Sequence, residues 1–262
     1  AQVLFFPSTY RRAVKYGQRD AGNEILRTEV LSRLSSYGKR NVKSTLFVVT
    51  EPSALAELVV SKKQLDARTL QLSVGETIDV VEIEKTLREF GFKETDYVYE
   101  PGQFAVRGSI LDVYSYSCDM PYRIDFFGDD IDTIRTFEIE SQLSKNKCER
   151  IEIVPELATI REEKVSFLRF LPSETLLVAK DFAFVCDAID RIYEEGFSKQ
   201  AVTESLEGKT EMERQTLIHE MQREMQLVTS LQFSKELVAF RRIQFGAKAS
   251  FSSQHPADAA LK

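Results

Sequence analysis

The chain has 262 residues, of which 43% are hydrophobic and 10% aromatic, a composition typical of globular proteins and unlike that of disordered segments. Its net charge of −6 argues against a dedicated nucleic-acid-binding module, which normally carries a basic excess that neutralises phosphates. Three cysteines without C-x-x-C spacing and two scattered histidines predict neither a disulfide framework nor a metal site, a pattern that fits the reducing cytoplasm. No apolar run approaches the roughly 18 residues of a membrane span, so we expect no membrane association.

Strand-like and helix-like segments alternate over residues 1–94. The predicted strands are 3–6, 45–50 and 69–73, and the first two have the continuous apolar pattern of strands buried on both faces. Three helices are predicted, one after each of these strands. Asn23 caps the first, which ends near Leu34, and Pro52 opens the second. Asp79 caps the third, and Gly91 ends it. This alternation predicts βαβ units and a mainly parallel sheet.

The same alternation returns over residues 156–262. The predicted elements are a helix at 165–171, a strand at 175–179, a helix capped by Asp181 that reaches Glu195, and a strand at 241–245. A charged, helix-favouring stretch at 201–226 carries Leu217, Met221 and Met225 at helical spacing, which predicts a core-facing stripe. We expect a loose tail at 257–262, and we expect segments 1–94 and 156–262 to share one sheet.

Residues 95–155 interrupt this pattern and predict an inserted antiparallel meander. Gly108 allows a tight bend, Gly128 and Asp129 supply a hairpin turn, and 149–154 predicts a closing strand. Alternation over 122–127 divides the side chains between an apolar face and a face that carries Arg123, Asp125 and Phe127.

The predicted polar face of the meander carries Arg107, Arg123 and Phe127, residue types that are enriched at protein-binding hot spots. One interpretation is therefore a partner-binding surface. The other is that Phe127 packs into an adjoining loop and that Arg123 forms an ordinary solvated ion pair. The candidate partners for that ion pair are Asp112, Asp125 and Asp130. The residues alone leave both interpretations open.

Two consecutive stretches, FAVRGSILDVYSYS and PYRIDFFGDDIDTIRTFEIESQLS, resemble the UvrB-homology module of bacterial transcription-repair coupling factors. The resemblance covers about forty residues in register. Tyr114 stands where that family usually has Phe, Asp130 where it has Glu, and Thr133 where it has Ser. UvrB carries a related segment, but the PYR…FFGD motif of this chain is more similar to the sequences of the coupling factors.

This resemblance implies a split, degenerate helicase-like α/β domain at 1–94 and 156–262, with a UvrA-binding domain inserted at 95–155. It also implies that the repair protein UvrA is the partner and that Arg107, Arg123 and Phe127 are its contacts. Further candidate contacts are Asp125, Asp129 and Arg135. In the full-length family, RNA polymerase and DNA are bound through other domains.

The chemistry of a helicase motor is not predicted for this chain. A phosphate loop of the form G-x-x-x-x-G-K-[ST] is missing, because Gly38-Lys39 precedes Arg40 and Gly208-Lys209-Thr210 lacks the upstream glycine. Asp129, Asp130 and Asp132 lie in and around a turn without the pattern of a calcium loop. We therefore expect neither catalysis nor a cofactor.

Two classes of function remain. The first is an interaction module of a coupling factor that recruits UvrA in transcription-coupled nucleotide excision repair. The second is a fragment of UvrB, or of another ATP-dependent helicase-like repair enzyme, whose motor part is missing.

Overall fold

The computed structural model describes residues 2–9, 21–37, 45–160, 164–195, 208, 210–213 and 227–245. The chain divides into two compact units, one formed by 1–50 with 59–165 and the other by 51–58 with 166–262. The predicted stripe of Leu217, Met221 and Met225 and the predicted tail at 257–262 lie outside the described residues.

The helices and strands are numbered in chain order. Those up to residue 94 are β1 (Gln2–Phe6), α1 (Ala21–Ser36), β2 (Leu46–Thr50), α2 (Pro52–Ala56), β3 (Val59–Val60), α3 (Lys62–Ala67), β4 (Leu70–Ser73), α4 (Val80–Glu89) and β5 (Lys93–Glu94). The next are β6 (Gln103–Arg107), β7 (Ile110–Val113), β8 (Tyr122–Phe127), β9 (Asp130–Phe137), β10 (Ser144–Cys148) and β11 (Arg150–Ile153). The last described elements are a 3-10 turn (Leu157–Thr159), β12 (Lys164–Val165), α5 (Phe167–Phe170), β13 (Leu176–Ala179), α6 (Phe182–Glu195), α7 (Ser230–Leu237) and β14 (Arg241–Gln244).

The first unit contains a six-stranded sheet in the order β10-β9-β8-β7-β6-β5. Its strands are antiparallel except for the parallel pair β5 and β6. Two-residue turns at 108–109 and 128–129 begin with Gly108 and Gly128, each with φ of 61°, a left-handed conformation that glycine adopts without steric cost. The predicted meander and both of its turns are confirmed. β10 is the outermost strand on one side, and its residues from Ser144 to Lys147 are exposed.

One face of this sheet packs on a hydrophobic core. Alternate residues of β6 to β9 enter it together with α4, whose cap at Asp79 is confirmed by a bond of 2.9 Å from the Val81 N–H to the Asp79 carboxylate. The pairing of β8 with β9 shifts by one residue beyond Asp125, which leaves Asp132 as an extra residue on β9. The buried residues of this core are Leu72, Ile83, Leu87, Phe92, Phe104, Leu111, Val113, Ile124, Phe126, Ile131, Ile134, Ile151 and Ile153.

The predicted strand at 149–154 is present as β11, but it pairs antiparallel with β4 and is not part of the six-stranded sheet. Because Leu72 on β4 and Ile151 on β11 both enter the core of the sheet, that core draws on residues well before position 95. The predicted domain boundaries, between residues 94 and 95 and between residues 155 and 156, stay a prediction.

The structure has the mixed helices and sheets of the predicted α/β class, with parallel pairing in β1 with β2 and in β13 with β14. These are separate two-stranded sheets. The described strands of segments 1–94 and 156–262 pair antiparallel through β3 and β12, and Glu57 forms an isolated bridge with Leu227. The larger sheet that we expect these segments to share stays a prediction.

Several local predictions for the first unit need correction. The strands β1 and β2 are not buried on both faces, because Val3, Phe5, Phe47 and Val49 alternate outward and are exposed. Asn23 does not cap α1, since the helix includes residues before it, and its amide instead donates to the Ser8 carbonyl at 2.8 Å.

In the second unit, Pro52 opens α2 and the carboxylate of Asp181 accepts from the Ala183 N–H at 2.9 Å at the start of α6, both as predicted. The helix predicted at 165–171 is shorter. Ser166 caps α5, so the helix begins at Phe167, and Val165 belongs to β12. The predicted strands β13 and β14 are confirmed.

Candidate partner-binding face

The face of the six-stranded sheet that points away from the main core carries the predicted binding residues. Strand register brings Ala105, Asp112, Arg123 and Arg135 into one row across β6 to β9. Asp125 and Phe127 follow Arg123 at alternate positions of β8, so they share its face. We call this surface, with Arg107, Arg123, Asp125, Phe127 and Arg135, the arginine face.

Asp112 is the centre of the arginine face. It is fully buried, and its Oδ1 and Oδ2 accept hydrogen bonds from Arg123 Nε and Nη2, both at 2.8 Å. Arg107 Nη2 forms an ion pair with the same Oδ2. A buried carboxylate is stable only when it is paired and hydrogen-bonded, and two guanidinium groups meet that need here. The same hydrogen bonds raise the pKa of Arg123.

Arg123 is held on three sides. Besides the two bonds to Asp112, its Nη1 donates to the Gln142 carbonyl at 3.0 Å, and its guanidinium lies 4.5 Å from the centroid of the Phe137 ring. Phe137 belongs to a small second core with Val98, Ala105 and Tyr114. The side chain is only 15% exposed. Arg123 therefore binds mainly within the domain, and the solvated ion pair considered from the sequence is wrong because its partner is a buried aspartate.

Arg107 is more accessible than Arg123, with about a third of its side chain exposed. Its Nη1 donates to the Asp96 carbonyl at 2.9 Å, and its guanidinium lies 5.0 Å from the centroid of the Tyr97 ring. Tyr97 is itself half exposed. The pair presents a cation over an aromatic ring at the surface.

Phe127 is 81% exposed at the end of β8. The alternative in which it packs into an adjoining loop is therefore wrong. Next to it on the same face, Asp125 forms an ion pair with Arg135 and accepts a hydrogen bond of 2.8 Å from Thr133 Oγ1. Asp129 lies in the turn, is exposed, and accepts at its backbone carbonyl from the Ile78 N–H at 2.8 Å.

Sequence reasoning missed two parts of this face. Asp112 was only one of three possible partners for Arg123, because strand alternation indicates a face and does not indicate register. Gln142, whose φ is 59°, carries no sequence signal for a left-handed conformation.

Within the described ranges, no group of three or more His, Cys, Asp or Glu residues could hold a metal ion, and Asp129, Asp130 and Asp132 form no such group. Burial raises the pKa of the Cys118 thiol to about 11, which disfavours the thiolate needed for nucleophilic chemistry. Among the helices of the described part, none is long and apolar enough to cross a membrane.

Residues 70–158 match the family described as UvrB interaction domain. The match begins at β4 and ends just after β11, so it includes the antiparallel pair that closes the core.

The resemblance to bacterial transcription-repair coupling factors is confirmed over about half of the chain. The chain is 30% identical over 127 residues to the "Transcription-repair-coupling factor" of Haemophilus influenzae, covering 48% of this chain and 11% of that protein. It is 29% identical over 149 residues to the Bacillus subtilis factor, covering 56% and 12%. It is also 27% identical over 135 residues to "UvrABC system protein B" of Thermotoga neapolitana, covering 52% and 20%. The chain thus matches between a tenth and a fifth of the length of these relatives.

Proposed function

We propose that this chain is an interaction module of a transcription-repair coupling factor and that it recruits UvrA through the arginine face. The observation that carries the proposal is Phe127, a large aromatic side chain that is 81% exposed on the same face of the sheet as arginines held in fixed positions. The match of residues 70–158 to the UvrB interaction domain supports UvrA as the partner.

The physical argument rests on preorganisation. Arginine and aromatic residues dominate hot spots because they combine contact area with directional donors. Arg107 is fixed by Asp112, by the Asp96 carbonyl and by the Tyr97 ring, so it loses little side-chain freedom on binding. In this proposal Phe127 and Arg107 make direct contacts, and Asp125, Asp129 and Arg135 lie at the rim.

For the rest of the molecule, we propose a degenerate, helicase-like α/β domain that is split around the binding domain and has no ATPase site of its own. The parallel pairs β1–β2 and β13–β14 support such a domain. In the full-length protein, ATP hydrolysis, DNA translocation and binding of RNA polymerase would belong to other domains, and the protein would act in the cytoplasm in transcription-coupled nucleotide excision repair.

A second candidate is a fragment of UvrB, and the similarity to the Thermotoga neapolitana protein favours it. Both candidates use the same face to bind UvrA. They differ in what the full-length protein does: a coupling factor would bind RNA polymerase, whereas UvrB would not.

The test is a calorimetric titration of UvrA with the chain and with two variants. Phe127→Ala should weaken binding by about 2 kcal/mol, the loss expected for a hot spot, without lowering the melting temperature, because the side chain is 81% exposed. Phe184→Ala is the matched control, since Phe184 is also an exposed phenylalanine but lies on α6 in the other unit. Equal affinity of the parent and Phe127→Ala, or no binding of the parent, would refute the proposal.

A further inference from the structure

Two exposed tyrosines lie in the loop between β5 and β6. Tyr97 is 50% exposed and Tyr99 is 56% exposed, whereas Val98 between them has no exposure to solvent. Val98 packs with Ala105 in the small second core. Ala105 belongs to the row of residues that crosses the arginine face, so this loop lies over the same face of the sheet.

The backbone of this loop is fixed at both ends. The Thr95 N–H donates to the Phe104 carbonyl at 2.9 Å, and Thr95 Oγ1 donates to the Tyr97 carbonyl at 2.9 Å. At the other end, the Tyr99 N–H donates to Gln103 Oε1 at 2.9 Å. Both tyrosines are therefore presented on an ordered backbone, which reduces the entropy lost when a partner binds.

Arg107 joins this loop to the centre of the arginine face. Its guanidinium lies 5.0 Å from the centroid of the Tyr97 ring, within the range of a favourable cation–aromatic contact. The same guanidinium donates to the Asp96 carbonyl at 2.9 Å and forms an ion pair with the buried Asp112. The ring of Tyr97 is thus oriented by an arginine that is itself held in place.

Tyr97 and Phe127 lie within the reach of one partner. Strand register places Ile110 between Arg107 and Asp125, and Phe127 is the next residue of β8 on that face. From the usual strand spacing and rise per residue, the Cα atoms of Arg107 and Phe127 are about 12 Å apart. A standard interface covers about 800 Å² on each partner, which is wide enough to include both aromatic side chains.

The composition of this area is that of a binding hot spot. A single exposed aromatic side chain is ordinary on a protein surface. Here Tyr97, Tyr99 and Phe127 share one face with Arg107. Tyrosine supplies a large, rigid contact area at low entropic cost, and it is enriched with arginine at the centres of interfaces.

We propose that the UvrA-binding surface extends over the loop between β5 and β6, with Tyr97 and Tyr99 as aromatic contacts. Arg107 is then also a positioning residue, because it orients the Tyr97 ring. This inference rests on the proposed function. It adds contacts on the β5 side of Arg107, whereas Phe127 lies on the β8 side, so the partner would span four neighbouring strands.

The first experiment is titration of UvrA with the double variant Tyr97→Ala/Tyr99→Ala, using the whole chain. We expect about a tenfold weaker affinity or more, with the melting temperature unchanged because Val98 still fills the second core. Tyr37→Ala is the matched control. Tyr37 is 40% exposed in the same unit but follows α1, outside the matched residues 70–158, and its loss should leave the affinity unchanged.

The outcomes separate this inference from the proposed function. If the parent binds UvrA and Phe127→Ala weakens binding, but the double variant binds as the parent does, the loop is not part of the surface and the inference is overturned. If the parent does not bind UvrA, the proposed function and the inference both fall.

Tyr97→Phe tests whether the ring is the group that binds. This variant keeps the aromatic area and the contact with Arg107, so it should bind as the parent does, whereas Tyr97→Ala should bind several times more weakly. An equal loss in both variants would show that the ring area does not carry the contact.

The positioning role of Arg107 has its own readout. If Arg107 acts partly through Tyr97, the loss of affinity in Arg107→Gln combined with Tyr97→Ala should be smaller than the sum of the two separate losses. Losses that add fully would show that Arg107 does not orient Tyr97 for binding.

Discussion

Both carboxylate oxygens of Asp112 accept a hydrogen bond of 2.8 Å from Arg123, although Asp112 has no exposure to solvent. The pair joins adjacent strands β7 and β8 at directly opposed positions. Its geometry is bidentate, the arrangement in which an arginine and a carboxylate bind most strongly and with the most defined orientation.

Asp112→Asn should destabilise the domain strongly. The amide supplies one acceptor where the carboxylate supplied two, and it leaves Arg107 and Arg123 without a buried counter-charge. We expect the free energy of unfolding to fall by about 3 kcal/mol, measured by urea denaturation. Asp125→Asn is the matched control, because Asp125 pairs with Arg135 near solvent, and its loss should be about 1 kcal/mol or less. Similar losses in the two variants would contradict a central role for Asp112.

Arg107→Gln should reduce UvrA affinity more than it reduces stability. The Arg107 side chain is a third exposed, and Arg123 still neutralises Asp112 when Arg107 is replaced by a neutral residue. The substitution removes the cation and its stacking on Tyr97, so we expect a loss of about 2 kcal/mol or more in binding. Affinity and melting temperature should be measured on the same sample. A large fall in melting temperature with little change in affinity would mark Arg107 as structural.

The partly buried thiol of Cys118 predicts a loss of stability in alkaline solution. Burial raises its pKa in the folded chain to about 11, from the ordinary thiol value of 9.0, so its contribution to stability is fully present below pH 9 and is lost as pH rises towards 11. Burial also raises the pKa of Tyr116 to about 12, which extends the effect to higher pH. Denaturation curves between pH 8 and 11 should show a smaller decline in Cys118→Ala. An identical decline in both proteins would assign the effect to other groups.

The sequence predicted those parts of the fold that depend on neighbouring residues. The β8–β9 hairpin follows from alternation over 122–127 and from Gly128, and the start of α4 follows from Asp79; each is decided within a few positions. Pairing between distant segments was missed. β11 binds β4, with Arg150 opposite Ser73, because both strands share a core that no local pattern encodes.

The candidate site also has a part that the sequence predicted and a part that it did not. Alternation was enough to place Arg123, Asp125 and Phe127 on one face, and the family resemblance pointed to the same residues. It could not show that Asp112 is buried between two arginines, since this depends on the register of three strands. Nor could it show that Arg123 reaches the carbonyl of Gln142, nineteen residues further along the chain.

The exposed outer strand β10 carries Lys145 and Lys147 in a five-residue segment. If a second copy added its own β10 to this edge, lysines of both copies would be brought together and would repel, a device by which natural sheets avoid edge-to-edge aggregation. The same lysines disfavour β-augmentation by a basic peptide, in which an extended segment of a partner joins a sheet as an extra strand. If the arginine face binds a partner as proposed, we expect recognition through side chains across the sheet, with little contribution from main-chain hydrogen bonds along β10.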